Sequence, residues 1–409
     1  TIDETVQSIL EKYLAEGLER FKVANGAVAV AMDVETGGII GLATKPNYDP
    51  NDPFTIQDQN LLKEIESLPQ DQRDEAENNA MNTQWRNKAV SDTYYPGSVF
   101  KMVTGSMGLE EGEISETSSY TCTGGEKLEG VKDVIHCWKR EGHGTTTFRE
   151  GLCNSCNPWF MHIADLLGEE RYCKYREAFG FTEKTGIDLP GESRSIYHPQ
   201  DTILPVEMQV EAFGQNFSIT PIQMITACAA VANGGYLVRP HVVDRIVDQD
   251  GNIVKTADTS YRRQVISEET SKLMTDILKQ NTASGTARGG YVSGYRICGK
   301  TGTSEKVDKH NHDLLEDPNA QMQYIASYCG FAPAEDPKYA LLVFFDEPSR
   351  EIATAGNAVA GPIFSAIMLE MLPYLGIEVE YTEEEYSQKD MVSPPGGGHD
   401  PGRGQKEAG

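Results

Sequence analysis

Any fold of this chain has to be built around Tyr94-Tyr95-Pro96-Gly97-Ser98-Val99-Phe100-Lys101, which sets a hydroxyl and an amine one helical turn apart just after a turn signal. Pro96 and Gly97 break what precedes them, and residues 98–109 are apolar with small residues interspersed. The pattern predicts a buried helix starting at the serine, with Ser98 and Lys101 sharing a face at i and i+3. A serine hydroxyl is a poor nucleophile at neutral pH. A lysine desolvated in an apolar helix can lose its proton and serve as the base the serine needs.

Alone, S-x-x-K is a weak signal, because a capping serine followed by a surface lysine is the commoner reading. Two further stretches change that. Ser155-Cys156-Asn157 lies on a tight connection between helical segments and carries two hydrogen-bonding side chains two positions apart. Lys300-Thr301-Gly302-Thr303 follows Tyr295-Arg296-Ile297-Cys298-Gly299, which reads as a strand able to align an amine, hydroxyls and backbone N–H groups along a cleft. S-x-x-K, S-x-N and K-T-G in this chain order form the set found in penicillin-binding proteins and class A β-lactamases.

On these motifs the chain resembles the transpeptidase domain of class B penicillin-binding proteins, the Gram-positive division, elongation and sporulation D,D-transpeptidases. The likeness extends through Thr1-Ile2-Asp3-Glu4, Met32-Asp33-Val34-Glu35-Thr36-Gly37, Lys45-Pro46-Asn47-Tyr48-Asp49-Pro50 and Gly214-Gln215-Asn216-Phe217-Ser218, covering residues 1 to about 375. It implies a mixed α+β fold of the penicillin-binding protein and serine β-lactamase type, with a central antiparallel sheet flanked by helices and an all-helical lobe. Residues 1–380 would form the transpeptidase domain and 381–409 a flexible C-terminal tail. The resemblance implies that this chain works, as a soluble piece, at the extracytoplasmic face of the cell membrane, with the membrane anchor and pedestal domain of full-length relatives lying outside it. Two departures stand out: relatives often carry an acidic residue where Tyr95 stands, and glycine where Asn216 stands. Asparagine tolerates positive φ, so the turn at Asn216 should survive.

The resemblance also assigns roles. Ser98 would attack the penultimate D-alanine carbonyl of a peptidoglycan stem peptide, with Lys101 as base, releasing D-alanine and leaving an acyl-enzyme. Ser155 would relay a proton to the departing amine, and Asn157 would hold the substrate amide and orient Lys101. Lys300, with Thr301, Gly302 and Thr303, would receive the substrate carboxylate, and the N–H groups of Ser98 and Thr303 would form the oxyanion hole. β-Lactams would trap Ser98 covalently. The acceptor would be an amine of a second stem peptide, and a wall-synthesis glycosyltransferase would be a partner through regions beyond this chain. A D,D-carboxypeptidase or β-lactamase, and a β-lactam sensor, are the alternative readings.

Composition bears on the partners. A formal charge of −26 over 409 residues argues against nucleic acid and against an anionic membrane surface, both of which require a basic patch. No window approaches the roughly 18 consecutive apolar residues of a spanning helix.

Along the chain, helical spacing predicts a packing helix over 1–22 with Asp3 as N-cap, then a strand at 27–33, a turn at Thr36-Gly37-Gly38 and a returning strand at 39–43. Residues 46–85 read as a polar surface excursion with a charged helical run at 61–79, and 117–144 as a Gly-rich loop subdomain. Helices are expected at 148–153, 157–168, 205–213, 221–232, 267–280 and 360–372, strands at 325–331 and 340–345, and a polar loop at 305–319. After 382 the Glu, Ser, Pro and Gly content cannot bury enough surface to order itself.

Eight cysteines are many for a secreted enzyme. Cys122, Cys137, Cys153 and Cys156 cluster in sequence with His136 and His143. That donor density suits tetrahedral zinc, for which Cys122, Cys137, His143 and Cys156 are the candidate ligands and Cys298 an alternative. Zinc would brace the S-x-N turn, since a closed four-ligand site has no position for substrate and catalysis itself requires no cofactor. Free buried thiols and a Cys122–Cys137 disulfide are the competing readings. Cys173, Cys228 and Cys329 read as core.

Overall fold

The computed structural model describes residues 1–128, 131, 134–317 and 319–381, so the expected tail at 381–409 lies outside the described residues except for Tyr381, which is buried and donates to the Tyr295 carbonyl at 3.0 Å. Asp3 caps α1 (Glu4–Phe21) by accepting from the N–H groups of Thr5 and Val6. Strands β1 (Gly26–Asp33) and β2 (Ile39–Lys45) form the expected hairpin. The polar excursion contains α2 (Gln59–Ser67) and α3 (Gln70–Trp85), parted by Pro69, and leads to the short α4 (Lys88–Ser91). A 3-10 turn (Gly97–Phe100) opens α5 (Lys101–Glu110), so the predicted helix is regular only from the lysine onward.

The loop subdomain contains four short strands, β3 (Ser119–Cys122), β4 (Gly125–Glu126), β5 (Ile135–His136) and β6 (Gly144–Thr147), paired β3 with β6 and β4 with β5. Next come α6 (Phe148–Cys153) and α7 (Asn157–Ala178). Helix α7 is interrupted at Gly168 (φ 68°, ψ 171°), where the expected stop falls, and a second helical segment follows, held in the core by buried Tyr172, Cys173, Tyr175 and Arg176.

Helices α8 (Pro205–Glu211) and α9 (Pro221–Ala232) follow, then β7 (Tyr236–Leu237), an exposed hairpin β8 (Arg245–Val247) and β9 (Ile253–Thr256), β10 (Arg263–Gln264) and α10 (Glu268–Ser284). Strand β11 (Cys298–Glu305) begins later than predicted and carries the K-T-G residues within it. The expected polar loop is instead α11 (Val307–Glu316), tied down where Lys306 and Lys309 reach Asp346 and Glu347 at 2.6–2.8 Å. Strands β12 (Tyr324–Ala332) and β13 (Tyr339–Asp346) and helix α12 (Gly356–Tyr374) complete the chain.

The central sheet runs β11-β12-β13-β1-β2, with every neighbouring pair antiparallel. Strand β1 is buried on both faces and alternates small and large residues. Ala27, Ala29 and Ala31 face α1 and share a core with its Val6, Leu10 and Leu14 and with Ile363 and Phe364 of α12, where small side chains admit a close helix. Val28, Val30 and Met32 face the helical lobe of α5, α7 and α9. Two cores therefore sandwich one sheet, whose edge strands are β11 and β2. No helix among the described residues is long and apolar enough to cross a membrane.

Within the helical lobe, the fully buried Glu211 meets Arg176 Nη1 at 2.6 Å and His198 Nδ1 at 2.9 Å, while Arg176 also donates to the His198 carbonyl at 2.6 Å. Burial raises the Glu211 carboxyl above its usual range, against the pull of Arg176 and His198. Arg176→Met leaves that buried carboxylate with His198 and no guanidinium, and is expected to destabilise the domain by about 3–5 kcal/mol in denaturant unfolding, whereas Glu211→Gln should cost less.

Candidate active site

Ser98 sits half-buried in the 3-10 turn between anchored neighbours: Val99 and Phe100 are fully buried, and Phe100 packs edge-on against Phe181 and Phe217. Glycine sets how close this turn comes to β11. A Cβ on Gly302 would lie 2.4 Å from Ser327 Oγ and 2.9 Å from the Pro96 carbonyl, and one on Gly97 (φ 57°) 2.6 Å from Ser304 Oγ. Ser304 Oγ donates to the Tyr95 carbonyl at 2.6 Å, fastening the nucleophile's segment to the K-T-G strand.

The Lys101 ammonium is fully buried and donates to Asn157 Oδ1 (2.6 Å), the Ser155 carbonyl (2.8 Å) and Ser155 Oγ (3.3 Å). Lys300, also fully buried, donates to Ser155 Oγ at 2.9 Å and to the Thr301 carbonyl at 3.1 Å. One hydroxyl thus accepts from both amines and keeps its own proton free to donate. Among the described residues none hydrogen-bonds the Ser98 hydroxyl.

Burial lowers Lys101 to about 8, opposed by Cys156 and Cys137, and burial followed by repulsion from Lys101 drives Lys300 well below its ordinary value. Lys101 can therefore lose its charge near neutrality, which a base needs.

Ser155 has φ 51°, a left-handed backbone that glycine usually occupies. The cause is a Schellman stop to α6: the Ser155 N–H reaches the Leu152 carbonyl and the Cys156 N–H the Gly151 carbonyl, both at 2.9 Å. Strain of ~1–3 kcal/mol is tolerated because both oxygens of Ser155 are bound by lysines. Asn216 likewise takes φ 65°, and the turn it shares with Gly214 survives as expected.

Strand β11 presents its unpaired edge to the cleft, which leaves alternate N–H groups open for an oxyanion. Thr303 is exposed, and its hydroxyl accepts from the Gly356 N–H at 3.0 Å, so its proton can point into the cleft. Thr301 is buried, with its hydroxyl 3.5 Å from the Thr286 carbonyl.

The ligand atoms of Cys122, Cys137, His143 and Cys156 lie within 4.8 Å of one another. Cys137 Sγ is 3.6 Å from His143 Nδ1, while His143 Nε2 is buried without a partner. A hydrogen bond from Cys156 leads in holding the Cys137 thiol well below the ordinary thiol range, joined by His143 and the N–H groups of Lys139 and Asn157; Cys156 is pushed up by that bond and by burial. All eight cysteines are free and buried, so no disulfide joins Cys122 to Cys137. Cys298 lies elsewhere, donating to the Thr275 carbonyl at 3.3 Å, and Cys153 Sγ points to the Ile277 carbonyl at 4.0 Å.

Sequence reasoning missed Trp138, whose Nε1 donates to the Asn154 carbonyl at 3.0 Å, and the carbonyl of His136, which receives Asn157 Nδ2 at 3.4 Å. Both tie the cysteine loop to the S-x-N turn. A tryptophan adjacent to Cys137 and five residues from His143 was the available signal.

The family model "Penicillin binding protein transpeptidase domain" matches residues 27–369, a span that includes all three motifs. The chain belongs to the penicillin-binding protein transpeptidase family. Among curated members it is 37% identical to stage V sporulation protein D of Bacillus subtilis over 95% of this chain and 56% of that protein. It is 27% identical to penicillin-binding protein PbpB of Mycobacterium tuberculosis over 90% of this chain and 51% of that one. The chain spans about half the length of the curated relatives it matches. The transpeptidase domain of Burkholderia pseudomallei penicillin-binding protein 3 superposes with a TM-score of 0.71 at 23% identity, covering 93% of this chain and 97% of that one, and shows the same fold.

Two expectations follow for this transpeptidase domain. Acylation of Ser98 by a penicillin should rise with pH and level off above about 8, because Lys101 is a base only when neutral; at pH 7 the stopped-flow rate should be about a tenth of the plateau. Ser155→Gly removes the shared hydroxyl but relieves the strained backbone, so acylation should fall by roughly 10²-fold or more while the melting temperature holds or rises.

Proposed function

We propose that this chain is the catalytic domain of a peptidoglycan D,D-transpeptidase. The observation that carries the reading is the buried Lys101–Ser155–Lys300 network beside Ser98, with Asn157 on Lys101. Ser98 Oγ attacks the penultimate D-alanine carbonyl and passes its proton to neutral Lys101. The Ser155 hydroxyl then protonates the departing amine and is replenished from the lysines, and D-alanine leaves.

The oxyanion is held by backbone N–H groups of Ser98 and Thr303, where losing one donor typically costs about 3 kcal/mol of barrier. The substrate carboxylate meets Lys300, Thr301 and Thr303. An acceptor amine attacks the ester and restores Ser98. Transfer is favoured over a carboxypeptidase, lactamase or sensor reading by the names of the relatives, several of which are printed as peptidoglycan D,D-transpeptidases. The sporulation name of the 37% relative favours a role in spore wall synthesis. Placement at the outer membrane face and a glycosyltransferase partner belong to the same proposal.

Intact mass after incubation with a penicillin tests it: one adduct on this chain and none on Ser98→Ala is the expected result, and an unmodified wild-type chain overturns it.

We also propose that Cys122, Cys137, His143 and Cys156 hold one structural zinc ion. The support is chemical: three thiols and an imidazole converge in a buried site, with donor spacings compatible with the ~3.8 Å edges of a tetrahedron of 2.3 Å Zn–S bonds. Such an ion would fasten the cysteine loop to Cys156, the central residue of the S-x-N turn. Elemental analysis of protein purified without added metal should give about one zinc per chain, and Cys122→Ser should lower both zinc content and melting temperature. A zinc content near zero removes the assignment.

A further inference from the structure

Strand β11 alternates cleanly at its far end. Thr303 and Glu305 are exposed, while Ser304 between them is fully buried and donates to the Tyr95 carbonyl at 2.6 Å. Thr301, Thr303 and Glu305 therefore share one side of the strand, two hydroxyls followed by a carboxylate, at steps of about 7 Å. Beside them runs the edge of β11 that no strand among the described residues pairs. The backbone there is held: Glu305 lies opposite Tyr324 of β12, and the N–H of Lys306 reaches the Gln323 carbonyl at 2.9 Å.

In a chain of net charge −26 an exposed glutamate is ordinary, but the surroundings of this one are not. The acids at the end of β13 are compensated: Lys306 takes Asp346 at 2.8 Å and Glu347 at 2.7 Å, and Lys309 takes Glu347 at 2.6 Å. Arg350 lies over the ring of Tyr324 and donates to the Met322 carbonyl at 2.7 Å. Among the described residues no cation pairs with Glu305. Its carboxylate is left beside the open edge without a countercharge.

We propose that Glu305 is a specificity-determining residue of the acyl-donor site, favouring donors with an ammonium group, and disfavouring those with a carboxylate, on the residue that precedes the penultimate D-alanine. This rests on the transpeptidase reading, in which the donor's terminal carboxylate meets Lys300 and Thr301 and its scissile carbonyl the Thr303 N–H. A donor so placed lies along the open edge, and its preceding residue runs on toward Glu305. A long side chain ending in an ammonium spans the remaining strand step. The K-T-G groups bind what every donor shares, and Glu305 reads what differs. An amine already consumed in a cross-link is an uncharged amide, so the same contact favours donors that have not yet been joined.

The test uses three penicillins with matched acyl chains, aminohexanoyl, hexanoyl and adipoyl, which place an ammonium, a methyl or a carboxylate where the donor's preceding residue lies. Second-order acylation rates are measured by stopped flow at low salt, with the hexanoyl compound as each protein's own reference. The ammonium compound should react fastest and the carboxylate compound slowest. Glu305→Gln should shrink the ratio of the two by about fivefold or more, because an attraction is lost from one and a repulsion from the other, and Glu305→Lys should invert it. Raising the salt to about 1 M should compress the ratio in the wild-type chain. An unchanged ratio in Glu305→Gln, with the hexanoyl compound still acylating Ser98, overturns the inference and leaves the transpeptidase reading standing. Failure of all three compounds to acylate the wild-type chain overturns that reading and this inference with it.

Discussion

Two ammonium groups buried around one serine hydroxyl are the arrangement on which the rest of this molecule depends. Lys101 comes from the helical lobe, Lys300 from the sheet and Ser155 from the turn between α6 and α7, so the network closes only when all three are in register. Desolvation lowers both ammonium groups, with repulsion from Lys101 adding to it at Lys300, so each gives up its proton more readily than a free lysine. The same arrangement explains why a non-glycine residue is held in a left-handed conformation: the hydroxyl and carbonyl of Ser155 are both engaged, and relaxing the backbone would release them.

The surrounding architecture keeps this network dry and aimed. Glycines at 97 and 302 let the nucleophile's turn press onto β11, and the Ser304 bond to Tyr95 secures that approach. On the other flank, Trp138 and Asn157 tie the cysteine loop to the S-x-N turn. Position in the cleft is thus set from both sides by contacts that do no chemistry themselves.

Much of this was legible in the sequence because local chemistry and tertiary structure agree. The alternation of Ala with Val and Met in residues 27–32 announces a strand buried on two faces, and Asp3 announces the first helix. The S-x-x-K, S-x-N and K-T-G residues converge because each carries a polar group that a core can hold only if another supplies its partner. Elsewhere tertiary context overrode the local signal. Gly168 reads as a stop and does break the helix, but nothing local announces the second helical segment after it, which burial of Tyr172 and Arg176 holds in place. Residues 307–316 read as a loop, yet ion pairs from Lys306 and Lys309 to the end of β13 favour a helix there. Nothing in the sequence marked Glu305 as uncompensated, since that depends on which carboxylates Lys306 and Lys309 reach.

The pairing of β1 has a consequence for how the chain can acquire its structure. Residues 26–33 match residues 339–346, so a polypeptide made from its first residue onward holds one side of an apolar strand without its mate until nearly the whole domain exists. High contact order of this kind slows folding and leaves sticky intermediates. Assembly is therefore a late, all-at-once event in which catalytic competence and the closing of the sheet arrive together.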